Sequence, residues 1–109
     1  MIDHAAALSH AIPLEPVDAS QVVAGTPRIG GAVLGMHGDR EYGVWEMTPG
    51  SMSDVETDEL CVILTGSASV EFIDLELTIE LRPGSVLHLD NGSRTIWTVT
   101  DTLRKVWIA

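Results

Sequence analysis

Four carboxylates fall within six residues in the segment Asp54-Val55-Glu56-Thr57-Asp58-Glu59. Carboxylates at this density can bind a hard cation such as calcium or magnesium, which takes oxygen ligands. The run lacks the central glycine and the distal glutamate of an EF-hand loop, and it reads as a solvated acidic edge entering a strand. Its last member, Glu59, opens the apolar segment Leu60-Cys61-Val62-Ile63-Leu64 and is the candidate catalytic residue. Enclosure disfavours the charged form of a carboxyl group. Such a group can act as a general acid or base, or can anchor a ligand by hydrogen bonds. The competing reading makes Glu59 a rim carboxylate paired with Arg94 or Arg104.

The other reactive side chains are scattered. Trp45, Trp97 and Trp107 all lie in segments with strand character. Trp97 shares a strand face with Thr95 and Val99 and can wall a small pocket, whereas Trp107 is expected in a sheet or subunit interface. His88 is the one histidine within the strand segments, a conceivable proton shuttle. Cys61 shares the Glu59 face and reads as a small core residue rather than a nucleophile. No Gly-x-Ser-x-Gly elbow and no glycine-rich phosphate loop occurs.

These residues must be positioned by strands. Turn signals recur every eight to twelve residues from Ile29 onward, the spacing of a sandwich or barrel. The pattern predicts strands over 29–36, 41–48, 59–65, 68–73, 76–81, 85–89, 95–100 and 102–108. Turns are expected at 37–40, Pro49-Gly50, Gly66-Ser67, Asp74-Leu75, Pro83-Gly84, Asp90-Asn91-Gly92 and Asp101. Residues 1–28, punctuated by Pro13, Pro16 and Pro27, form an irregular arm, with one helical turn over 5–10, a short strand near 14–17 and a cap at Asp18-Ala19-Ser20. The arm and a barrel over 29–109 make up a single domain. In the segment 59–65 both faces are apolar beyond Glu59. A strand apolar on both sides is covered on both, and a second copy of the chain is the expected cover for one of them.

Sixteen acids against six bases give a net charge of -10. Nucleic acid and anionic membrane both need positive patches and are poor partners for this chain. No segment reaches the length of a membrane span, and the apolar run 5–8 after the acidic N-terminus is too short for a signal peptide. The single cysteine fits a reducing, cytoplasmic setting.

The run Gly43-Val44-Trp45-Glu46-Met47-Thr48-Pro49-Gly50, the segment Glu59 to Gly66, Pro83-Gly84, Gly92, Trp97 and the late pair Arg104-Lys105 resemble a cupin. Within the cupins they resemble the small ureidoglycine aminohydrolase-type family, DUF861. The resemblance extends over residues 22–108 and implies an all-β jelly-roll barrel, usually dimeric. Metal-dependent cupins bind through a His-x-His pair, a glutamate and a further histidine. Here Glu59 matches the glutamate, while the histidine positions fall on Ser53 and Val55, or on Met52 and Asp54, and on Thr95. None offers an imidazole, so no metal or other cofactor is expected. The resemblance and the strand alternation together predict that Glu59 points into the barrel beside Thr95 and Trp97. Thr95, Trp97, Trp45, Asp54 and His88 are the candidate ligand contacts. The acidic mouth favours a cationic or amine-bearing small molecule. The expected function is therefore small-molecule binding by a metal-free cupin. The alternatives are a hydrolase of small ureido or amine compounds and a non-catalytic structural or regulatory subunit. Metal analysis and ligand-dependent stability separate them.

Overall fold

The computed structural model describes residues 4–109. Among the described residues there are nine strands: β1 (Glu15–Pro16), β2 (Val22–Ala24), β3 (Arg28–His37), β4 (Arg40–Met47), β5 (Gly50–Val55), β6 (Glu59–Phe72), β7 (Leu77–Leu81), β8 (Val86–Leu89) and β9 (Arg94–Ile108). A single 3-10 turn, Ile73–Leu75, joins β6 to β7. Among the described residues no helix is long and apolar enough to cross a membrane. The expected all-β jelly-roll barrel is what the chain forms. The reading of Met1–Asp3 as the start of an acidic N-terminus lies outside the described residues.

Every pairing is antiparallel, and the two long strands organise the rest. The C-terminal half of β9 lies between β4 and the first part of β6, with Trp45 opposite Lys105 and Cys61 opposite Trp107. Its N-terminal half lies between β5 and the second part of β6, with Met52 and Val70 flanking Trp97. β7 and β8 pair with β6 at successive points along its other side. The sheet curls because both long strands bend at the same level, where the β6–β9 register shifts between Ile63 and Ala68. Gly66 makes the bend possible. Its φ is +94°, and a Cβ there would lie 2.2 Å from the Thr102 carbonyl oxygen.

Strand alternation directs Met47, Met52, Ile63, Val70, Leu89, Trp97, Val99 and Leu103 into one core. The arm is tied to the barrel at several points. Its residues 6–10 form a hydrogen-bonded turn, β1 pairs with β3 and β2 pairs with β5. The Asp18 carboxylate caps the following turn by accepting the Ser20 amide at 2.9 Å, as its sequence suggested. Arg104 fastens the arm across the sheet. Its guanidinium donates to the carbonyls of Ala7 and His10 at 2.9 and 2.8 Å and to Glu46 at 3.0 Å.

Three sequence expectations change. Residues 50–55, expected as turn and acidic loop, form β5, because Met52 and Asp54 alternate inward along it despite its polar composition. Gly66-Ser67 and Asp101, expected as breaks between strands, are bends inside the continuous β6 and β9.

Candidate functional site

One end of the barrel opens into a cavity of about 460 Å³. β4 supplies Trp45, β9 supplies Trp97, Lys105 and Trp107, and β5 with the residues after it supplies Asp54 and Glu56. Glu59, the first residue of β6, completes the polar lining. Trp107 packs against Gly43, where a Cβ would come within 2.6 Å of its indole, so the glycine gives the ring its place.

At the centre is the Lys105 ammonium. It donates to Glu59 Oε2 at 2.7 Å and lies 4.8 Å from the ring centroids of both Trp45 and Trp97. The two indoles stand 5.8 Å apart and are tilted by 56°, forming a wedge with the cation at its opening. A desolvated ammonium over an indole face is attracted by the ring quadrupole by ~1–2 kcal/mol. With the Glu59 carboxylate, this is what allows a lysine that is only 5% exposed. Beside it, Glu56 Oε2 accepts the Thr95 hydroxyl at 2.5 Å and the Trp97 indole N–H at 2.9 Å. Asp54 accepts only its neighbour's amide, from Val55 at 2.8 Å. Burial, and then the nearby Glu56, raise the Asp54 carboxyl above its ordinary range. Burial likewise pushes the Cys61 thiol up to about 11.

The structure brings Glu59, Trp97, Trp45 and Asp54 together around the cavity. Thr95 is fully buried behind it, spending its hydroxyl on Glu56. His88 is elsewhere. It is exposed on β8, opposite Leu60 and 3.7 Å from Asp90, and it shares an outer depression with Asp58. Asp58, His88 and Asp90 each bring one ligand atom within 4.8 Å of the others, but all three side chains are exposed. The basic partner of Glu59 is Lys105, not Arg94 or Arg104, which pair with Asp74 and Glu46. Glu56, expected on a solvated edge, is buried. Trp107, expected in an interface, lines the cavity.

Lys105, Glu56 and Trp107 escaped sequence reasoning as site residues. The signal for Lys105 was present: it sits between Leu103 and Trp107 on the inward face of its strand. The signal for Glu56 was the inward series Met52, Asp54, Glu56, legible only once β5 is known to be a strand. Of the two possible placements of the cupin histidine positions, Met52 and Asp54 are the pair that face inward. A transition metal does not fit this donor set. The cavity offers no imidazole, and an ammonium already occupies the position against Glu59 that a metal would need.

The EutQ-like cupin domain model matches residues 34–107. No curated protein matches the sequence. Among solved structures, a DUF861-family protein of unknown function from Pseudomonas syringae pv. tomato superposes with a TM-score of 0.76 at 20% identity. That match takes in 92% of this chain and 44% of the other, so this chain spans under half the length of that relative. The EutQ protein of Clostridium difficile superposes with a TM-score of 0.68 at 14% identity, over 85% of this chain and 73% of that one. A candidate ethanolamine utilization protein Q from Salmonella typhimurium gives 0.63 at 17% identity, over 91% and 94%. At these identities the likeness is one of fold.

Proposed function

From the premise that this chain belongs to the EutQ-like cupin domain family, we propose that it binds a small amine-bearing cation in the barrel cavity without a metal ion. The observation that carries this is the charge balance inside the cavity: Asp54, Glu56 and Glu59 converge against one ammonium, Lys105, between tryptophan walls. A carboxylate-rich, aromatic-lined cleft focuses negative potential and favours a cation that can also bury an apolar stem. Glu59 serves here as the counter-ion of Lys105 rather than as a general base. The name of the Salmonella relative agrees with the sign of this reading, since ethanolamine is a small amine that is protonated at neutral pH.

Thermal unfolding in the presence of 2-aminoethanol, propylamine and matched neutral alcohols tests it. A ligand at about 100 times its dissociation constant adds roughly 2.7 kcal/mol to stability. The amines should raise the melting temperature, the alcohols should not, and prior dialysis against a chelator should leave the amine effect intact. Loss of the effect after chelation, or no response to any amine, would overturn the reading.

A further inference from the structure

The polar groups of the cavity are unequally committed, and this selects among amines. Lys105 donates to Glu59 Oε2 at 2.7 Å and lies 4.8 Å from the ring centroids of both Trp45 and Trp97. Glu59 is thereby neutralised. Glu56 is held by the Thr95 hydroxyl and the Trp97 indole N–H, which are in turn used up by it. Among the described residues no basic side chain pairs with Asp54, whose single hydrogen bond comes from the adjacent Val55 amide. The cavity wall also includes the apolar side chains of Ala32, Val33, Val55 and Trp107.

We propose that Asp54 receives the ligand's ammonium, and that the ligand is a monocationic amine with an uncharged tail rather than an amino acid or another zwitterion. This rests on the cation-binding reading above and makes it specific. A ligand carboxylate would enter a cavity already lined by Asp54, Glu56 and Glu59, whose one basic lining residue, Lys105, is already paired with Glu59. It would lose its hydration without gaining a partner. An uncharged tail of a few atoms meets no such opposition and can lie against the Trp107 indole and the valines. The elevated proton affinity of Asp54 fits the same role, since a carboxylate buried and then crowded by Glu56 is relieved by an incoming cation.

Calorimetric titration of the full chain with 2-aminoethanol, propylamine and glycine, repeated on Asp54→Asn, tests this. In the native chain glycine should bind at least about tenfold more weakly than 2-aminoethanol, the discrimination expected of one unpaired buried charge. Asp54→Asn should weaken both amines by about tenfold or more, the loss of one charge-assisted hydrogen bond. Equal affinity for glycine and 2-aminoethanol overturns the proposal without the use of any variant. Amine binding that survives unchanged in a folded Asp54→Asn protein, as judged by circular dichroism, overturns it too and leaves the cation-binding reading standing. No heat from either amine removes both.

Discussion

Ionised Asp54 is a carboxylate that the folded chain holds at a cost. Its folded pKa lies above the ordinary value of 3.8, first through burial and then through Glu56. A raised folded pKa means that the native state holds the proton more readily than the unfolded chain does. That contribution to stability is complete below 3.8 and is lost as pH rises through the folded value. Asp54→Asn should therefore stabilise the unliganded protein at pH 7. The gain should be a few tenths of a kcal/mol once solvent screening of this half-exposed group is allowed for. Comparing melting temperatures at pH 7 and near pH 3 checks this, because the difference between variant and native chain should shrink at the lower pH. A residue whose removal stabilises the fold and weakens a ligand is one kept for binding. Cys61 behaves in the opposite pH range. Its thiol, pushed up to about 11, is uncharged at neutral pH, and its contribution to stability is lost as pH rises from 9 through 11. Alkylation by iodoacetamide at pH 8 should consequently follow global unfolding in urea, and rapid labelling of the native chain would contradict it. At this scale the sequence was legible where a residue's type matched its surroundings. Trp45, Trp97 and Glu59 could be placed from alternation and motif position. Lys105 was missed despite its inward position between Leu103 and Trp107, because a lysine in a strand reads as a solvent-facing side chain. Only the wedge of two indoles and a carboxylate, assembled from three different strands, makes its burial tolerable.

The strands carry a different kind of information. Alternating apolar positions and turn glycines were enough to place β3, β4, β7 and β8 to within a residue or two, because each is bounded by a local signal such as Gly38 or Pro83-Gly84. What local signals do not report is whether a glycine ends a strand or bends it. Gly66 looks like a hairpin turn, yet the chain continues in the same direction through it, and the non-local pairing of β6 with β9 decides between the two. The same limit hid β5, whose Ser51, Ser53 and Asp54 give a polar strand that is recognisable only from its partners Thr98, Ile96 and Thr95 on β9. Because Gly66 sets the bend, Gly66→Ala should be severe. A side chain there meets both a positive φ of +94° and the Thr102 carbonyl oxygen, backbone that cannot swing aside as a side chain would. The expected loss is about 2 kcal/mol or more. It should be seen as a lower midpoint in urea with an unchanged slope. The cost would extend to function, since the bend is what brings the C-terminal part of β9, with Lys105 and Trp107, over β4 at the cavity.

Taken whole, the barrel leaves several apolar side chains exposed singly, and on one face a group of them lies together. Leu60 and Ile108 are opposite each other on β6 and β9, and Val62 lies between Val86 and Val106 on the adjoining strands. Alternation that sends Glu59, Cys61 and Ile63 inward sends Leu60, Val62 and Leu64 outward, so these side chains form a continuous patch across β8, β6 and β9. Leu60 is 42% exposed, Val86 66% and Ile108 36%. The patch lies at the sheet edge made by β8, which among the described residues pairs only with β6. The N-terminal arm is tied elsewhere, at Arg104 beside Glu46. An exposed apolar patch flanked by polar residues marks an association surface. A two-fold axis through it would set the patch against its own copy, the self-complementary arrangement that most homo-oligomers use. At a net charge of -10 two copies repel each other at long range, so an apolar area is the favourable place for them to meet. The expected species in solution is therefore a homodimer. Light scattering at tens of micromolar, roughly the range in which a weak association would already dissociate, should give twice the chain mass. Leu60→Lys, which places a charge at the centre of the patch and touches nothing in the cavity, should give the mass of one chain with its amine response retained. A native chain that scatters as a monomer would show instead that the patch is left open to solvent.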